Sequence, residues 1–164
     1  MTILIDIATA ASVAILLYAA ASDILVRSVP NRVSIAIAGI GLFIDLARGD
    51  ATSGLMVAAL VFAATILLWR LGVMGGADAK LIPAVTMLLP PGHVPELLIC
   101  VAFSGGLLSA LYLALRHLPP LVRRRSSVAV LRRLRIEQRR ARRADALPYV
   151  VAICAGTFIA LAKG

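Results

Sequence analysis

Cysteine is nearly absent from this chain: Cys100 and Cys154 are the only two in 164 residues. Two cysteines, each inside an apolar run, exclude a disulfide-stapled secreted scaffold and a multi-cysteine zinc site. Charge is scarce too, at 15% of residues, and only eight side chains are acidic. Soluble globular domains are about 25% charged and about 45–50% apolar. Here 61% of residues are hydrophobic, and the mean hydropathy is +0.97. A water-soluble fold of this size would leave large apolar patches in solvent, and a disordered chain requires low hydrophobicity. The composition is that of an all-α integral membrane protein.

Long apolar runs supply the helices. A membrane crossing takes about 20 residues, with a range of about 17–25. Six segments are predicted as spans, at about 3–22, 30–47, 52–73, 79–90, 94–115 and 147–162 of a single membrane-embedded domain, residues 1–164. The second is a little short unless Pro30 opens its first turn. The fourth, stopped by Pro90-Pro91-Gly92, is too short for a regular crossing. Ala19-Ala20-Ala21 resembles a signal cleavage region, but no Lys or Arg precedes the first run and its length exceeds a signal core of about 7–15 residues. The first run is therefore expected to be a transmembrane helix.

The net charge of +9 is concentrated in one place. Eleven arginines between Arg116 and Ala146, opposed only by Glu137 and Asp145, account for the whole excess. That pattern fits a basic cytoplasmic loop over 116–146 rather than a nucleic-acid-binding surface. Within it, Leu121, Val122, Val128, Leu131 and Leu134 interleave with arginines. The spacing suits either an amphipathic helix on anionic lipid headgroups or a solvated charge run that only sets topology. With both termini outside, fifteen basic residues fall on the cytoplasmic side against Arg48 and Lys163 outside, as the positive-inside rule requires. The expected location is the bacterial inner membrane, with several passes.

The acids sort by the same topology. Asp6, Asp45, Asp50 and Glu96 are expected toward the outer face, solvated by water, while Glu137 and Asp145 lie among arginines. Asp23 and Asp78 remain, at the cytoplasmic ends of the first and fourth spans. Two carboxylates at one depth are able to share a proton and activate a water, one acting as base while the other polarises a carbonyl. Each also has a plain structural reading: Asp78 as a cap for the helix that follows, and Asp23 as a partner of Arg27 four residues on. Helix ends favour an ionised Asp78 and a protonated Asp23, with Lys80 adding to the first effect and Arg27 opposing the second. His93 and His117 fall on opposite sides, so no metal or cofactor site is expected. Ser104-Gly105-Gly106 and Ser109 read as small residues for helix packing.

The motifs around these acids resemble a known family. Gly75-Gly76-Ala77-Asp78-Ala79-Lys80-Leu81 resembles the GxGD motif of membrane aspartic proteases, in the form seen in type IV prepilin peptidases. Asp23 followed by Val29-Pro30-Asn31 is similar to the family's first catalytic segment. Pro148-Tyr149 resembles its C-terminal Pro-Tyr motif. The three occur in the family's order across nearly the whole chain. The resemblance implies leader cleavage of a prepilin or pseudopilin at the cytoplasmic face, with Asp23 and Asp78 catalytic and Pro30, Asn31, Gly75, Gly76, Ala77, Lys80, Pro148 and Tyr149 supporting. Ala77 stands where the motif expects glycine; if that position requires φ > 0, alanine is strained by about 1 kcal/mol or more. About ten residues, without cysteine, join the first two spans. This resembles the small members associated with Flp-type tight-adherence pili and implies cleavage without N-methylation. The alternative is a non-enzymatic small carrier or pilus-assembly subunit in which the two Asp bind an ion or relay a proton.

Overall fold

The computed structural model describes residues 1–117, 136–140 and 147–163, and every regular element among them is helical. The helices with both ends in the described residues are α1 (Thr2–Val26), α2 (Asn31–Arg48), α3 (Ala51–Arg70), α4 (Asp78–Thr86), α5 (Val94–His117) and α6 (Tyr149–Lys163), with a 3₁₀ turn, Pro91–His93, leading into α5; residues 136–140 are helical as well. Most of the basic segment lies outside the described residues, and with it the lipid-surface reading of residues 116–146.

Three helical stretches are long and apolar enough to cross a membrane: Thr2–Val26, Ala51–Arg70 and Pro91–His117; α6 is shorter but apolar. The second predicted span is differently built. Its helix begins at Asn31, with Pro30 in extended conformation just before it, and it carries Arg32, Asp45 and Arg48. The fourth is a nine-residue helix.

Two compact units divide the chain. The first combines Met1–Ser104 with Pro148–Gly164, and the second is Gly105–Leu147. In the second, Tyr112 donates to Glu137 at 2.5 Å and Arg140 pairs with the same carboxylate at 2.7 Å.

In the first unit α4 is the centre. It packs against α2, α3 and α6, while α1 packs against α2 and α6. Every residue from Leu81 to Leu89 is buried. By contrast, α1, α3 and α5 keep outward rows such as Leu17, Leu60 and Phe103 exposed, as lipid contact requires. Lipid is as apolar as leucine, so close packing rather than transfer from water holds these helices together. Gly156 of α6 shows this. A Cβ there would fall 2.5 Å from the Val101 Cα and 2.6 Å from its amide nitrogen, backbone that cannot turn aside.

The short helix contains its own disruption. Pro83 lies within α4 and has no N–H, so the Ala79 carbonyl loses its donor four residues on. Thr65 of α3 lies in the gap, with its buried hydroxyl 2.9 Å from the Ala79 oxygen. One side chain thereby satisfies an orphaned carbonyl and fixes the start of α4 against α3. Thr65→Val keeps the shape but leaves that carbonyl unpaired, which costs about 1–3 kcal/mol. Thermal unfolding in detergent is expected to show the loss. Adding Pro83→Ala returns an N–H to the carbonyl, so the Thr65→Val penalty shrinks in that background; an unchanged penalty would refute the account.

One acid departs from expectation. Asp45, predicted in water at the outer end of its helix, is fully buried against Gly54 of α3. Neither carboxylate oxygen has a hydrogen-bond partner among the described residues. The reason is helical phase: Asp45 shares the inward face of α2 with the buried Ile37, Gly41 and Ile44.

Candidate active site

Three helix ends converge. The first is the last turn of α1, which ends because Arg27 adopts the left-handed region at φ 57°, its N–H bonded to the Asp23 carbonyl at 3.0 Å. Ser22 closes the connection behind it by donating to the Ser28 carbonyl at 3.1 Å. Asp23 is thus held at a helix terminus and is 9% exposed. The second is the start of α6, where the buried Pro148 precedes the helix. With the chain entering there, the Val150 N–H is one of the amides left free by the first helical turn, and it donates to Asp23 Oδ2 at 3.2 Å. The third is the start of α4, which carries Asp78.

Asp78 belongs to the first turn of α4 and its side chain does not cap that helix; Ala77 holds the capping position. The carboxylate turns back on the chain and accepts a hydrogen bond from the Gly75 amide. Its Oδ2 lies 2.7 Å from where a Cβ on Gly75 would stand, so this glycine is required by close approach. Ala77 has φ −70° and ψ −43°, ordinary right-handed helix, and the strain anticipated there does not arise. Gly76 packs beside the Trp69 indole.

The two acids sense each other. Burial first, and then the Asp23 charge, push Asp78 up to about 6, against the opposing Gly75 hydrogen bond. The helix N-terminus had suggested a readily ionised Asp78; enclosure outweighs it, because removing a carboxylate from water penalises the charged form. Arg27 acts electrostatically on Asp23, and Asp78 on the Tyr149 phenol. Replacing Asp23 with Asn removes one of the two upward influences, so the Asp78 carboxyl is expected to titrate below about 6 in that variant. Infrared carboxyl titration reads this directly, and an unchanged midpoint would contradict it.

Lys80 serves neither carboxylate by a direct bond. Its Nζ donates to Asn31 Oδ1 at 3.1 Å, tying the start of α4 to the start of α2. Of the residues singled out in the sequence, then, Asp23, Asp78, Gly75, Pro148 and Tyr149 come together at one place. Lys80 and Asn31 form a separate link, and Pro30 shapes the entry to α2. The sequence reading missed Thr65 and the Val150 amide. A threonine in the middle of an apolar span was the one available signal for the first; a backbone donor leaves none.

Among the described residues no group of three or more His, Cys, Asp or Glu is arranged to hold a metal. The chemistry this arrangement offers is that of two partly enclosed carboxylates, each steadied by one backbone N–H, with acid and base functions divided between them.

The sequence model of the type IV leader peptidase family matches residues 10–110, which contain both acids. The prepilin peptidase EppA of Methanothermobacter thermautotrophicus is 36% identical over 80 residues, covering 44% of this chain and 21% of that protein. The match thus spans about a fifth of that relative's length. No solved structure matches. With its family model matched over more than half of its length, this chain belongs to the type IV leader peptidase family.

Proposed function

We propose that this protein is a membrane aspartic endopeptidase that removes the leader of a prepilin or pseudopilin at the cytoplasmic face of a bacterial inner membrane. The observation that carries the reading is the convergence of Asp23 and Asp78. Two carboxylates from distant parts of the chain are enclosed together, close enough for the charge of one to disfavour ionisation of the other. Such a pair holds a single proton over a range of pH, which is the state acid–base hydrolysis needs.

The ionised member takes a proton from a water whose oxygen attacks the scissile carbonyl carbon. The carbonyl π electrons move to oxygen, which the protonated member polarises and then protonates. In the collapse of the tetrahedral intermediate a hydroxyl proton returns to the carboxylate that gave one, C=O re-forms and the C–N bond breaks. The proton taken from water passes to the leaving amine, which restores the dyad. No covalent acyl-enzyme forms, and no metal or cofactor is invoked.

The substrate class follows from the family and from the name of the relative: a short leader followed by an apolar helix that enters between the spans. The distribution of basic residues supports six passes with both termini outside and the dyad at the cytoplasmic edge. The cysteine-free connection between α1 and α2 supports the small Flp-type form, cleaving without N-methylation.

Purified protein in lipid nanodiscs, given a prepilin bearing its leader, is expected to yield the mature chain with an unmethylated N-terminus by mass spectrometry. Intact substrate after incubation with folded protein would refute the assignment.

A further inference from the structure

The protonated acid polarises the carbonyl oxygen, but it is the one donor the dyad offers to the charge that builds there before the proton transfers. An oxygen gaining negative charge between two carboxylates needs a neutral or positive donor aimed at it. Arg27 closes α1, and Lys80 is engaged with Asn31. Tyr149 has no such commitment. It is the first residue of α6, next to Val150, whose amide holds Asp23. The Asp78 charge also reaches its phenol. Tyr149 is thus anchored one residue from the amide that holds Asp23, at the helix end that meets the dyad. Its ring is half-buried and packs against the apolar core, which fixes its direction. Yet its hydroxyl makes no hydrogen bond within the described residues. A phenol with an apolar body fixed in a core and a free polar tip is suited to a partner that arrives with substrate.

We propose that Tyr149 is a third catalytic group, whose hydroxyl donates a hydrogen bond to the scissile carbonyl oxygen as negative charge builds on it on the way to the tetrahedral intermediate. The inference rests on the peptidase reading above. Tyr149 keeps its proton throughout: it lends a hydrogen bond while the carbonyl π electrons move to oxygen, and the bond weakens when the C–N bond breaks and the carbonyl returns. Because this contact strengthens as charge develops, it acts on the chemical step more than on substrate binding.

The test is a kinetic comparison of the parent with Tyr149→Phe and Asp78→Asn, using the full chain in nanodiscs and a prepilin substrate. Tyr149→Phe retains the ring and its packing, so the melting temperature is expected to hold. Its kcat is expected to fall on the order of 10²-fold with KM little changed, the size seen when one oxyanion donor is removed. An unchanged kcat, or a change confined to KM, overturns the inference. If Asp78→Asn is inactive while Tyr149→Phe is normal, the inference alone fails; if Asp78→Asn still cleaves, the peptidase reading fails with it. Should Tyr149→Phe not fold, a fluorinated tyrosine at 149 makes the same measurement. It preserves the ring but ionises at lower pH, so a new alkaline fall in kcat is expected, and its absence overturns the proposal.

Discussion

Asp23→Asn and Asp78→Asn are each expected to abolish leader removal while leaving the protein folded. Acid–base catalysis by a positioned group contributes about 10²–10⁴-fold, and a dyad has no spare member, so either variant should fall to background. The stability side has a defined sign. Asp78 is raised from 3.8 to about 6. Its native form therefore holds the proton more tightly than the unfolded chain does. That contribution is present in full below the ordinary value and is lost as pH rises through about 6. At neutral pH an ionised Asp78 is thus a burden on the fold. An amide of the same shape removes it, so the Asp78→Asn melting temperature is expected to equal or exceed that of the parent as activity disappears. Cleavage by either purified variant would remove the dyad from the mechanism. Loss of activity together with loss of fold would leave a structural role as the simpler account. Asp6→Asn and Asp50→Asn, whose side chains are exposed and which stand apart from the three converging helix ends, are expected to cleave normally.

Gly75→Ala is expected to produce the next largest effect. A Cβ at Gly75 would stand 2.7 Å from Asp78 Oδ2. That oxygen is the end of a movable side chain, so the clash is relieved by turning the carboxylate away rather than by unfolding the helix. The turn also breaks the hydrogen bond from the Gly75 amide. Displacing a reacting group by about 1 Å can cost about 10²-fold in rate. A fall of that order in kcat, with little change in melting temperature, is therefore expected. Ala77→Gly offers the contrast. Alanine sits there in ordinary helical geometry, so the glycine adds backbone freedom and nothing else. The expected cost is about 0.5–1 kcal/mol in stability with activity retained. Equal losses of activity in the two variants would show that the turn as a whole, rather than the Gly75 contact, sets the carboxylate.

Much of the site was legible because it is carried by contiguous residues. Gly75-Gly76-Ala77-Asp78 and Pro148-Tyr149 are each read within a few positions, whereas Pro30-Asn31 belongs to the separate link with Lys80, and hydropathy alone indicates a membrane protein. Span boundaries were harder. Pro30 was a candidate first turn but precedes the helix, and the fourth apolar run became a nine-residue helix enclosed by its neighbours. Hydropathy cannot separate a lipid-facing helix from one surrounded by protein, because both are apolar all round.

Charge position misled in a more specific way. Asp45 lies near a helix end, where sequence suggests water, but the inward face of α2 passes through that position and buries it. At Asp78 the helix-end field is outweighed for a related reason: the field of one helix terminus is local, whereas desolvation sums over everything packed around the group. Ala77 shows the converse, since a motif comparison raised the possibility of strain and the backbone angles dispose of it.

The sequence by itself therefore determined the membrane class and the family, and singled out two acids that the fold brings into electrostatic reach of each other. Only the tertiary structure decided that α4 is central, that Thr65 supplies the hydrogen bond Pro83 removes, that the Val150 amide holds Asp23, and that the Tyr149 hydroxyl makes no hydrogen bond among the described residues. The physical reason is range. Periodicity, hydropathy and turn chemistry act over a few residues, while enclosure, close backbone approach and the pairing of orphaned polar groups depend on which distant segments meet.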